Sequence, residues 1–272
     1  MRRAESAKVR WAGIELVEVL WETGTPDALR EMASIALRLS DRRDHRAEGY
    51  MGMAYRYGRG VQKDLDKAES MLRRSSSGGV DWASDQLMEV LWEKGSYEES
   101  VRMASGRGSA SANSVLGRAF RDGKGAGKDL QKAAEYLRKA GLTGELVEVL
   151  WDIGSPGSLS ELASSAYLEI GKGNAFAAEC LGLLHLEGTV VAHDERKALD
   201  LLEKAANLGS KSAAEKLMLM SMESNDADRT VVAASALLDE NDAAAVEIVS
   251  EAYAEGKGLP RDKEMASIWT LS

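Results

Sequence analysis

Apolar residues in this chain recur at the three- and four-residue intervals that line one side of an α-helix. The runs Leu16-Val17-Glu18-Val19-Leu20-Trp21, Leu87-Met88-Glu89-Val90-Leu91-Trp92 and Leu146-Val147-Glu148-Val149-Leu150-Trp151 share one pattern, and Leu217 to Met222 is a degraded fourth copy. Three residues past each Trp stands a Gly (Gly24, Gly95, Gly154), and nine past that an Ala (Ala33, Ala104, Ala163). This order predicts helix, tight turn, helix.

A second family of hairpins alternates with the first. Gly58-Arg59-Gly60, Gly123-Lys124-Gly125 and Gly188-Thr189-Val190 begin 65 residues apart (123 − 58 and 188 − 123), and Gly256-Lys257-Gly258 follows 68 later (256 − 188). Each marker is preceded by an Ala (Ala47, Ala112, Ala177, Ala245), a small residue (Gly52, Gly117, Gly182, Ser250) and a ring (Tyr55, Phe120, His185, Tyr253). Each is followed by an Asp (Asp64, Asp129, Asp194, Asp262), an Ala (Ala68, Ala133, Ala198, Ala266) and then Leu72, Leu137, Leu202 or Thr270. The small residue lets a second helix approach closely, and the ring fills the groove beside it. Gly-x-Gly supplies the positive φ that stops one helix, and the Asp is placed to accept backbone N–H bonds at the start of the next.

Four periods of two hairpins predict an all-α fold, a right-handed α/α superhelical solenoid of about eight helical hairpins. The run Ala112 … Leu116-Gly117 … Phe120-Arg121-Asp122-Gly123-Lys124-Gly125 … Lys128-Asp129 … Ala133-Ala134-Glu135-Tyr136-Leu137 resembles the Sel-one-like repeat (SLR). Leu181-Gly182 … Gly188 … Asp194 … Ala198 … Leu202 … Gly209 resembles another copy. The hairpin from Leu87 through Gly95 to Ser100 is similar to the related tetratricopeptide repeat (TPR). On this resemblance residues 1–272 form one array. SLR units lie near 46–76, 111–141, 176–209 and 244–272, and TPR-like hairpins near 12–45, 82–110, 144–175 and 213–243. Thr189-Val190 lacks the second turn Gly and Ser250 replaces the small Gly, so the turn and the packing vary there.

Composition agrees with helix: 44% hydrophobic residues, 29% charged, 3 Pro and 2 Phe. The net charge of −9 repels phosphate, which speaks against nucleic acid and in favour of a basic protein or peptide partner. No stretch approaches the roughly 20 apolar residues of a membrane span. No secretory leader is visible at the start, so a cytoplasmic location is the default expectation.

Chemistry for catalysis is sparse. Gly123-Lys124-Gly125-Ala126-Gly127-Lys128-Asp129 departs from a nucleotide-binding loop in spacing, and Asp129 follows the Lys where Ser or Thr is required. Cys180 sits in an apolar helical run and is expected to be buried, and His45, His185 and His193 have no partners at metal-binding spacing. No enzyme activity, cofactor or metal is expected.

A partner is therefore expected on the concave surface made by successive first helices. The edge of the apolar stripe there carries acid, Trp, acid: Glu18, Trp21 and Glu22; Glu89, Trp92 and Glu93; Glu148, Trp151 and Asp152. These sets suit a basic peptide through cation–π attraction and charge pairing, although packing between hairpins is the reading that the usual burial of Trp favours. Arg56 and Arg59, then Arg118 and Arg121, mark a further face on the SLR hairpins, which turns acidic at Glu187, Glu251 and Glu255.

The leading function is a protein–protein interaction scaffold. The alternative is a non-catalytic region of a larger enzyme, for instance one building cell-surface polymers. The resemblance implies adaptor roles in signalling, secretion or envelope processes. Shifted by 71, Met1, Val9, Trp11 and Leu16 match Leu72, Val80, Trp82 and Leu87. The chain is thus expected to begin near the end of a second helix and to be an excerpt of a longer one, with an uncapped end open to end-to-end association.

Overall fold

The computed structural model describes residues 2–238 and 243–270. The expected phase match at Met1, the end of the last TPR-like hairpin at 239–242 and the closing Leu271-Ser272 lie outside the described residues. The helices pair as α1 (Arg2–Thr23) with α2 (Pro26–Ser40), α3 (His45–Tyr57) with α4 (Leu65–Ser77), α5 (Asp81–Glu93) with α6 (Tyr97–Ala104), and α7 (Ala110–Asp122) with α8 (Leu130–Ala140). They continue as α9 (Thr143–Ile153) with α10 (Pro156–Gly171), α11 (Ala175–Glu187) with α12 (Glu195–Asn207), α13 (Lys211–Glu223) with α14 (Ala227–Leu238), and α15 (Ala243–Glu255) with α16 (Lys263–Thr270). No strand occurs among the described residues.

The turn chemistry is the cause of these boundaries. Gly58, Gly123 and Gly188 take φ of 68°, 71° and 67° and close α3, α7 and α11. The side chains of Asp64, Asp129 and Asp194 accept the N–H of Lys67, Lys132 and Lys197 at 2.9, 3.0 and 2.9 Å, capping α4, α8 and α12. Gly52 is required by close approach: a Cβ there would stand 2.5 Å from Cγ of Leu72, and one at Gly117 would stand 2.8 Å from Leu137. The fourth hairpin uses Ser250 instead, whose Oγ donates to the Ala266 carbonyl at 2.9 Å.

The chain divides into two compact units, Met1–Leu142 and Thr143–Ser272. In the first, sequential helices pack on one another, and the first helices α1, α3, α5 and α7 also touch in that order. Ala68, Leu72, Leu87, Val90 and Leu91 form one buried cluster, and Met88, Ala104, Val115 and Leu116 another. In the second unit α9 touches α11 as α5 touches α7, with Leu150, Leu181, Leu184, Leu202 and Leu217 buried.

One sequence expectation is corrected. The 71-residue match placed a helix end just ahead of Val9, whereas α1 runs unbroken from Arg2 to Thr23. Gly78-Gly79 separates α4 from α5, while the matching positions in α1 are the helix formers Ala7-Lys8.

Candidate functional site

Trp92 ends α5 half-buried against the cluster around Met88. Two groups of the same chain engage the ring. The Arg118 guanidinium lies 5.2 Å from the ring centre, and Tyr97 meets the ring edge-on at 4.8 Å. Arg118 Nη2 also donates to both carboxylate oxygens of Glu89, at 2.7 and 2.8 Å. Arg56 on α3 reaches the same carboxylate at 3.6 Å, donates through Nε to Glu93 at 2.7 Å, and donates through Nη1 to Gln86 at 2.9 Å. Lys63 stands 3.7 Å from Glu93.

Three consecutive first helices, α3, α5 and α7, are thus tied by one Arg–Glu–Arg line. Its side chains are only 10%, 16% and 20% exposed. Largely removed from water, the Glu89 carboxylate is stabilised by both guanidinium groups and each guanidinium by Glu89, so any one of them would be costly to leave alone.

Trp21 is built the same way. Arg59 lies 4.2 Å from its ring centre and donates to its carbonyl at 3.2 Å, and Tyr50 approaches edge-on at 6.0 Å. Glu18 pairs with Arg46, and Glu22 is exposed. Burial, aided by the neighbouring Glu18 carboxylate, pushes the Tyr50 hydroxyl up to about 12. Trp151 is also half-buried, edge-on to Phe176 at 6.5 Å, and Glu148 and Asp152 are exposed. Arg121 reaches Asp122 at 2.8 Å.

The structure therefore brings Trp92, Glu89, Glu93, Arg56 and Arg118 into one network and places Trp21 with Glu18 in a second. Sequence reasoning marked Arg59 as a surface residue without its ring partner and missed Arg46, Lys63 and Gln86. A recurrence pointed to Arg59: the residue after the first turn Gly is Arg59, Lys124 and Lys257 in three hairpins. Lys124 sits 5.4 Å over the Tyr97 ring, as Arg59 sits over Trp21.

The other candidate groups are structural. His185 is buried, with Nδ1 3.0 Å from the Ala192 carbonyl. Cys180 is 1% exposed, and burial pushes its thiol well above the usual range. Among the described residues no group of His, Cys, Asp or Glu is arranged to hold a metal ion, and no helix is long and apolar enough to cross a membrane.

Residues 45–80, 110–142, 176–210 and 243–270 match the model of the Sel1 repeat. No curated protein matches the sequence. Among solved structures, the chain is similar to a protective antigen of uropathogenic Escherichia coli strains that displays an SLR fold. The TM-score is 0.66 and the identity 18%, over 95% of this chain and 63% of that one. It is also similar to a Sel1 repeat protein from Oxalobacter formigenes, with a TM-score of 0.58 and 20% identity over 96% of this chain and 81% of that one. The chain thus spans 63% of the length of the Escherichia coli protein, and the likeness is one of fold.

Proposed function

The chain is a Sel1-repeat protein with four copies of that repeat, a family whose repeats generally mediate protein–protein interaction, and we propose that it is an interaction scaffold. Its partner is a protein or peptide with basic side chains, bound along the first helices of the amino-terminal unit. The observation that carries this reading is the pair of half-buried rings Trp21 and Trp92 on the first helices, each held by a guanidinium, Arg59 or Arg118. Rings already ordered within the chain leave little entropy to be lost when a partner settles on them. The rings offer apolar area, and the exposed Glu22 beside Trp21 offers charge to a Lys or Arg.

Photo-crosslinking side chains at Glu22 and Glu93 are expected to capture a partner that the same group at Lys139, on the second helix α8, does not. Once it is captured, Glu22→Lys should weaken binding by about tenfold or more while unfolding by heat shifts little. Undiminished binding by that variant would remove the first-helix face from consideration.

A further inference from the structure

The carboxy-terminal part of α1 repeats α5 at nine of fourteen positions from Trp11 to Gly24: Trp11-Ala12 … Leu16 … Glu18-Val19-Leu20-Trp21-Glu22 … Gly24 stands for Trp82-Ala83 … Leu87 … Glu89-Val90-Leu91-Trp92-Glu93 … Gly95. On one side the two helices agree, Val17 and its counterpart Met88 both being fully buried, Val17 in the cluster with Leu29, Met32 and Ala36 of α2 and Met88 in that with Ala104 of α6. Their other sides differ sharply. Leu87 and Val90 are 2% and 0% exposed, whereas Leu16 and Val19 are 42% and 57% exposed, and Trp11 is 65% exposed.

The structure also displays what covers that side in α5. It is the Sel1 hairpin α3–α4: Ala68 and Leu72 close over Leu87 and Val90, and Ser76 and Ser84 share a hydroxyl hydrogen bond at 2.6 Å. Trp82 enters a notch at Gly49, where a Cβ would stand 2.4 Å from its Cη2, and its ring lies 5.2 Å from that of Tyr50. We infer that the open side of α1 is a docking surface for a Sel1-type hairpin of a partner polypeptide, one carrying glycine at the position of Gly49 to admit Trp11.

Two details define that partner further. In the other hairpins of this chain the position of Gly49 is Ser114, Glu179 and Glu247, so the carboxy-terminal hairpin of a second copy would set an exposed carboxylate against Trp11. Self-association through α15–α16 is therefore disfavoured. In α5 the joint ends at Lys94, held at 2.5 Å by both Asp66 and Glu69 of α4, while α1 has Thr23 there. The partner's second helix thus needs no acid at the Glu69 position. The joint of α12 with α13, where Leu199 and Ser224 take these two places, packs without that ion pair.

The test supplies the hairpin directly, by fusing a second copy of residues 45–80 ahead of Arg10 in the full chain, which repeats the Val80–Asp81 connection. Trp11 emission, isolated by difference from a Trp11→Phe counterpart, should shift to the blue, and Tm should rise by about 5 °C or more. Trp11→Ala should then lower Tm by several degrees in the fusion and hardly at all in the original chain, and Gly49→Glu in the added copy alone should cancel the gain. Trp11 that stays in water in the fusion, or Trp11→Ala with equal effect in both proteins, overturns the inference. Head-to-tail oligomers of the original chain that bury Trp11 overturn it too, since its own Glu247 hairpin would then be accepted.

Discussion

The two units share a packing frame and differ in what they hang on it. In the amino-terminal unit the positions beside the core of the first helices hold Arg56, Glu89 and Arg118. In the carboxy-terminal unit the Arg56 and Arg118 positions hold Leu186 and Leu183 on α11 and Ala254 and Glu251 on α15, while the Glu89 position holds Glu148 on α9 and Leu219 on α13, the last 51% exposed. Beneath this change nothing moves: Leu137 and Leu202 are both fully buried, each beside a glycine, Gly117 or Gly182. Contacts inside each hairpin fix the backbone, so the neighbouring surface positions are free to turn from a charged ladder into apolar side chains.

The largest expected effect tests the shared frame. Leu91→Ala in the first unit and Leu150→Ala in the second both empty a buried site, and each should cost about 2–5 kcal/mol in denaturant unfolding. A near-neutral result in either unit would break the claim that both are built alike.

Writing one unit's surface into the other comes next. Arg118→Leu leaves Glu89 half-buried with Arg56 alone and should cost about 1–3 kcal/mol. The reciprocal Leu183→Arg, at a half-buried position whose guanidinium can reach water, should cost less than about 1 kcal/mol. Equal costs would mean that the ladder contributes nothing beyond apolar cover.

Removal of the helix caps should be alike in both units. Asp129→Ala and Asp194→Ala each lose the same backbone N–H bond, and each should cost about 1 kcal/mol.

The smallest effect is a pH slope in the α4–α5 joint. Hydrogen bonding from Lys94, and then from Arg73, holds the Glu69 carboxyl below its usual range. Its contribution is full above the unfolded value of about 4.3 and is lost as pH falls through the lowered folded value. Glu69→Leu, which copies Leu199 of α12, should flatten the decline in stability across that acid window, measured by urea unfolding at successive pH values.

The repeat made most of the fold legible without coordinates. Positive-φ glycines, capping aspartates and small residues act on the chain within a few residues of themselves, so their spacing alone marks sixteen helices and the way each pair closes. The same locality explains the correction at α1, where a match at distance outweighed Ala7-Lys8, which carry no stop. The candidate surface was legible as a list of residue types and not as a set of partners. Glu89 and Trp92 announce themselves in the sequence, and Tyr97 meets Trp92 across the α5–α6 turn, but Arg118 and Arg56 meet them only because α3, α5 and α7 lie side by side. The sequence by itself determined the helices, their hairpins and the period. Which charges neutralise one another, and which copy of an identical apolar face stays uncovered, was decided by tertiary packing, because both depend on neighbours about 30 residues or more away in the chain.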